Sequence, residues 1–248
     1  MNRLKRLISM LLCTALMFTS VCVFAEGTEE TTGVAGPIEI DWDSIGLLEK
    51  LGIIDEIDRS TAQEFLSEKI SRAEFAVNII RFANIENVIS LGEGFKDVVK
   101  DAEEAPYIYT AVNMGLIAPV TEEYFYPMYG INYEEAAQAL VMTLGYSAVA
   151  KTDNSWFIQA KKLGLMKGVD TGKAFTRAQG YQMLFNALHA EVMDVSGLVG
   201  DVASYTTVEG FDALKKFFDI RHDEGIITGA GGVEFDTGKT NSQKEYVK

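Results

Sequence analysis

The stretch ISRAEFAVNIIRFA, residues 70–83, opens with a short polar tetrad and continues as an apolar helical run. Ser71 suits an N-cap, Glu74 stands three positions later, and Ile79, Ile80 and Ala83 follow at helical spacing. Just upstream, LLEKLGII (47–54) reads as the end of another helix, closed by Gly52. The same two-part pattern occurs twice more. YIYTAVNMGLI (107–117) precedes INYEEAAQALVMTLG (131–145), and WFIQAKKLGLM (156–166) precedes FTRAQGYQMLFNAL (175–188). Gly52, Gly115 and Gly164 align as turn glycines, and Arg72, Tyr133 and Arg177 share one tetrad position. Ile79, Leu140 and Leu184 align, as do Ile80, Val141 and Phe185, then Ala83, Leu144 and Leu188. The opposite face is expected to carry Glu74, Asn78, Arg81 and Asn84 in the first unit, and Gln182, Asn186 and His189 in the third. A two-helix unit with one apolar stripe buries it by packing on its neighbours, so the repeat predicts one shared core.

Further motifs surround these helices. FKDV spans 95–98, NMGLI spans 113–117, FYP spans 125–127, ISRAEFA spans 70–76, and FTRAQ spans 175–179. In order and spacing this set resembles the S-layer homology (SLH) domain of bacterial cell-surface proteins. That family pairs an FxDV start, a helix ending in Leu-x-x-x-Gly-Ile, an FxP turn and an ITRAEF-type helix start. The resemblance covers roughly residues 38–196 and implies a mainly α fold, three SLH-like helix pairs in a pseudo-threefold bundle; the residues after it read as a small α+β segment. Departures are visible. Asn132–Glu135 replaces the usual Thr-Arg-Ala-Glu, Gln179 stands where the family has Glu, and the third unit lacks the FxP turn.

The N-terminus reads as a secretory signal over 1–25. Arg3, Lys5 and Arg6 precede an apolar run from Leu7 to Phe24, and Val23-Phe24-Ala25 offers a cleavage site before Glu26. A retained membrane anchor, or lipidation at Cys22, are the alternatives. Both cysteines, Cys13 and Cys22, fall in this leader, so the exported chain is expected to have no disulfide framework. The full chain carries 22 basic and 36 acidic residues; without the leader's three cations the balance is 19 − 36 = −17. Such a charge argues against nucleic acid and anionic lipid as general partners, and no membrane partner is expected after signal cleavage.

Residues 26–37 read as an acidic linker. The three units are placed at 38–92, 93–149 and 150–196. Within the first, Ser60-Thr61 with Glu64 marks a short extra helix. In 197–248, Thr207 is expected to cap a helix bearing Phe211, Leu214, Phe217 and Phe218, with glycine-rich strands and turns over 219–240. This segment reads as the start of a further module, or else as a frayed domain end.

Arg72 and Arg177 are the main binding candidates, each following a cap residue, Ser71 or Thr176, at a helix start. Free N–H groups, the helix dipole and a guanidinium fork together suit a carboxylate. The family resemblance implies that this carboxylate is the ketal pyruvate of a secondary cell-wall polysaccharide or a peptidoglycan-linked glycan. The competing use is that both arginines pair with neighbouring acids and stitch the units together. Tyr107 and Trp156, at equivalent positions, are candidates for stacking on sugar rings or for packing. Glu74, Glu135 and Gln179 suit a capping box.

No chemistry is legible. Adjacent acids such as Glu134-Glu135 diverge by about 100° on a helix. His189 and His222 have no second nearby nitrogen ligand in sequence, and there is no Gly-x-Ser-x-Gly or phosphate loop. Together with the family resemblance, which implies a cell-wall anchor, this leads to the expectation of a non-enzymatic module with no cofactor and no metal. The alternative is a degenerate scaffold for a surface-protein partner or a downstream enzyme domain.

Overall fold

A computed structural model of the chain describes residues 40–88, 94–151, 155–199, 202–220, 229–230 and 233–234. The expected signal peptide, the linker and most of the expected strand-and-turn stretch at 219–240 lie outside the described residues. The helices in chain order are α1 (Trp42–Lys50), α2 (Ala62–Ser67), α3 (Arg72–Phe82), α4 (Ala105–Asn113), α5 (Tyr133–Thr143), α6 (Ser147–Lys151), α7 (Trp156–Lys162), α8 (Arg177–Leu188) and α9 (Ala213–Phe218). Strands β1 (Glu191–Val199) and β2 (Val202–Asp212) pair antiparallel, as do the two-residue strands β3 (Gly229–Ala230) and β4 (Val233–Glu234). The fold is mainly helical.

Helices α1, α4 and α7 end in the same way. The N–H groups of Gly52, Gly115 and Gly164 donate to Glu49, Val112 and Lys161 carbonyls at 2.9, 2.9 and 3.1 Å. The next N–H, of Ile53, Leu116 or Leu165, reaches back to Leu48, Ala111 or Ala160 at 3.0, 2.9 and 2.9 Å. This double bond pattern needs a left-handed residue, and the three glycines have φ of +68°, +70° and +76°. The apolar residue after each glycine is thereby turned inward: Ile53, Leu116 and Leu165 are all buried.

The long helices α3, α5 and α8 touch one another. Each also rests on a shorter helix of another segment: α3 on α4, α5 on α7, and α8 on α1. The aligned stripe residues Ile79, Leu140 and Leu184 are fully buried at this junction, with Phe75, Phe82 and Phe125. Each such side chain contributes ~1.5–3 kcal/mol relative to exposure. Helix α3 is enclosed on more than its stripe. Asn78, expected on its polar face, is only 3% exposed, and its amide nitrogen has no hydrogen-bond partner. The packing of α4, α5 and α8 around α3 leaves too little of its surface in water for a polar face there.

The C-terminal segment differs from its expectation. Thr207 lies inside β2 rather than at a helix start, and α9 is capped by Asp212, whose carboxylate accepts from Lys215 N–H at 2.9 Å. The run VASYTTV is rich in β-branched and aromatic residues, which favour a paired strand over a helix's first turn. Strand β1 spans the expected end of the third unit at 196. It lies against the end of α5. Met193 N–H donates to Leu144 O at 2.9 Å, and a β-carbon at Gly145 (φ +90°) would meet Met193 O at 2.2 Å. Phe217 of α9 packs edge-on against Phe82 at 5.6 Å.

Candidate functional site

The starts of α3, α8 and α5 each project a side chain into another segment. Arg72, 3% exposed, donates through Nε to Phe125 O at 2.9 Å and through Nη2 to Ala118 O at 2.6 Å. Its Nη1 pairs with Glu135 on α5, and its plane lies 4.8 Å over the Phe125 ring. Arg177 repeats the arrangement. Its Nε bridges both Glu74 oxygens at 2.9 Å, Nη1 bonds Glu68 at 2.6 Å and Phe65 O at 3.1 Å, and the guanidinium lies 4.2 Å over Phe65. Burial lowers the Arg177 pKa, but the bonds to Glu68 and Glu74 outweigh it and the net shift is upward. Tyr181 adds a hydroxyl bond to Glu74 at 2.9 Å; burial and that carboxylate push its own pKa up.

Tyr133 takes the same place at the start of α5. Its hydroxyl donates to Asp170 O at 2.8 Å, and its ring packs 4.5 Å from Phe175. Gln179, three positions into α8's tetrad, donates Nε2 to that same carbonyl at 3.3 Å. Wherever an arginine occupies the first position, a glutamate answers it from the facing helix. Where Tyr occupies it, Gln179 on the facing helix donates to the same Asp170 carbonyl.

The N-terminal N–H groups of α3 are engaged within the protein. Arg72 N–H donates to Tyr129 O at 2.8 Å, Ala73 N–H to Pro127 O at 3.0 Å, and Glu74 N–H to the Ser71 hydroxyl at 3.1 Å. At α8, Arg177 N–H donates to Glu68 O at 2.9 Å, and Thr176 makes no side-chain cap bond. The capping box forms at α5, between Asn132 and Glu135. It does not form at α3 or α8, because the Glu74 carboxylate turns to Arg177 and Tyr181, and Gln179 to Asp170.

One carboxylate joins two of the sequence motifs. Asp97 of FKDV accepts from Phe125 N–H at 3.0 Å and Tyr126 N–H at 2.7 Å, both in FYP, while Phe95 packs against Phe125 at 5.8 Å. This clasp sets the loop whose carbonyls receive α3. Residues 94–137 match the family model for the S-layer homology domain. SLH domains are generally involved in cell-wall anchoring and bind cell-wall glycans. The SLH match contains Asp97, Tyr107, Phe125 and Glu135; Arg72, Trp156 and Arg177 lie outside it. No curated protein matches the chain.

Beside the SLH stretch, α5 and α7 enclose a groove of about 540 Å³. Asn132, Glu134, Glu135 and Gln138 form one wall, and Ser155, Trp156, Phe157 and Ile158 the other. Trp156 is therefore at a cavity, with Glu135 across from it. Tyr107 instead lies under Arg81, 5.7 Å from the guanidinium. Of the six sequence candidates, Ser71 with Arg72 and Thr176 with Arg177 sit at two helix starts, and Trp156 joins Arg72 only through Glu135. Asn132, Glu134, Gln138 and Phe157 were not singled out as binding residues, since a groove between distant segments leaves no local pattern. The Asp97 clasp had a readable signal, an acid fixed within FxDV. Among the described residues no group of three His, Cys, Asp or Glu could hold a metal, and no helix is long and apolar enough to cross a membrane.

Proposed function

We propose that this chain is an exported, non-catalytic module that anchors to the bacterial cell wall by holding a secondary cell-wall polysaccharide in a groove between three SLH-like repeats. The observation that carries the reading is the placement of the SLH match. It falls on the middle of three helix pairs, and each pair reaches the next in the same sense: Arg72 to Glu135, Tyr133 to the Asp170 loop, Arg177 to Glu74. That circular order supports a pseudo-threefold bundle. The α5/α7 groove lies within the usual range of ligand sites, and Trp156 offers a sugar ring an apolar face. Arg72 acts on this groove by holding Glu135, while Arg177 holds Glu74 at the corresponding place in another interface. Each groove binds modestly, and repeated ligands along a polymer supply avidity.

Co-sedimentation with purified sacculi tests the proposal. The folded wild-type chain should pellet, and Trp156→Ala should reduce binding at least tenfold with its circular dichroism unchanged. No binding by the wild-type chain would defeat the proposal. A second reading, a scaffold for another surface protein, is favoured by the arginines' commitment to protein acceptors. It predicts no sacculus binding by the folded chain.

A further inference from the structure

The loop that receives the start of α3, residues 118–131, carries a row of tyrosines. Phe125 is fully buried, while its neighbours Tyr124 and Tyr126 are half-buried and Tyr129 is 67% exposed. The Tyr124 and Tyr126 rings lie 5.9 Å apart and nearly parallel, at 21°, and the Tyr126 and Tyr129 rings lie 5.0 Å apart. The backbone beneath the row is held fast. The Phe125, Pro127 and Tyr129 carbonyls accept from Arg72 Nε, Ala73 N–H and Arg72 N–H, and Asp97 accepts from the Phe125 and Tyr126 N–H groups. Tyr126 has φ +58°, a left-handed conformation in which a bulky side chain is strained. Gly or Asn would make the same turn at less cost, so the turn alone does not account for a tyrosine here.

The strain keeps the middle ring in line between the other two. A rigid row of amphipathic rings suits the C–H faces of pyranose units, and a loop already fixed loses little freedom when it binds. The row also adjoins the α5/α7 groove. Tyr129 stands three residues before Asn132, which lines that groove, so their Cα atoms are at most about 11 Å apart. A polymer seated in the groove therefore has the row as its next surface, and this continuity selects a glycan over a separate protein partner. We infer that Tyr124, Tyr126 and Tyr129 form an outer stacking surface for the wall polysaccharide, taking sugar units beyond those held in the groove. The inference rests on the wall-binding proposal above and extends its site.

The test titrates the full exported chain with wall polysaccharide purified from the source bacterium, as long chains and as enzymatically released disaccharides. Binding of long chains by the wild-type chain reads the wall-binding proposal; the row variants read the inference. Tyr126→Asn and Tyr129→Ala should each weaken long-chain binding about fivefold, and Tyr129→Phe, which keeps the ring, should retain most of it. Both variants should leave disaccharide binding within about twofold, whereas Trp156→Ala should weaken long chains and disaccharides alike. Circular dichroism and thermal melting accompany each variant: Asn tolerates the left-handed backbone at 126, and Tyr129 is exposed, so both should stay folded. If Trp156→Ala loses long-chain binding while the row variants stay within about twofold of wild type, the inference is overturned and the wall-binding proposal stands. If the row variants weaken disaccharides as much as long chains, the row is no outer surface and the inference is overturned. If the wild-type chain binds neither preparation, both fall.

Discussion

The two arginine latches and the tyrosine latch do the same job with different chemistry. Arg72 and Arg177 each close a junction with an ion pair, carbonyl bonds and an aromatic face beneath the guanidinium. Tyr133 closes the third with one strong hydroxyl bond and ring packing, and Gln179 joins it on the Asp170 carbonyl. Taken one position at a time, Tyr133 and Gln179 are two unrelated polar residues. Taken across the junction, they share one carbonyl as uncharged donors, where the other two junctions hold an ion pair. A glutamate at 179 would set its carboxylate against the Asp170 carbonyl to which Gln179 donates, so the amide suits this junction. The uncharged version is less completely satisfied. Gln179 Oε1 is buried with no partner, a cost that sets this junction apart from the two arginine junctions.

Breaking the latches should rank them. Arg72→Ala leaves the Phe125 and Ala118 carbonyls and the half-buried Glu135 without their shared donor, and should cost ~3–5 kcal/mol, since several acceptors lose their partner together. Thermal unfolding should fall by about 2–4 °C per kcal/mol. Arg177 is more exposed than Arg72, and its partner Glu68 is in water. Arg177→Ala should therefore cost less, about 2–3 kcal/mol, with more of that loss removed by added salt. A result with Arg177→Ala the costlier of the two would contradict the burial argument.

A double-mutant cycle sharpens the comparison. Tyr133→Arg alone sets a guanidinium near the Asp170 carboxylate but facing an amide, Gln179, on α8. Gln179→Glu alone sets a carboxylate opposite Tyr133. Each should destabilise by about 1–2 kcal/mol. The double change rebuilds the ionic latch, and a favourable coupling of ~0.5–3 kcal/mol is expected from urea midpoints. Strict additivity would show that the two positions are not matched. The smallest effects belong to the existing uncharged pair. Tyr133→Phe should lose ~1 kcal/mol. Gln179→Met should stay within about 1 kcal/mol of the parent, since it removes an orphaned oxygen along with one long bond.

The fold was legible where the chain repeats a local rule. Gly52, Gly115 and Gly164 signalled three identical helix ends because a left-handed closing residue leaves few choices. The stripe positions Ile79, Leu140 and Leu184 went to the core as helical spacing required. Contacts between segments were harder to read. Asn78 sits on a polar register yet is enclosed, because three other helices close over α3. Thr207 reads as a cap, but pairing with β1 draws it into a strand. At the candidate site the arginines were visible as residues but not as to whom they bond. The acceptors Ala118 O, Phe125 O and Phe65 O are backbone groups, which no side-chain pattern announces. Trp156 was visible as an aromatic; the opposite wall of its groove comes from residues some 20 positions earlier in the chain.

The central claim is that glycan sits between α5 and α7 while the arginines hold the protein together. Backbone amide NMR of the folded chain, titrated with purified cell-wall polysaccharide, tests it most directly. The account predicts shift changes concentrated at 132–138 and 155–158, including the Trp156 indole N–H, with the Nε–H signals of Arg72 and Arg177 unmoved. Changes centred on those two guanidinium groups, with Trp156 silent, would contradict it.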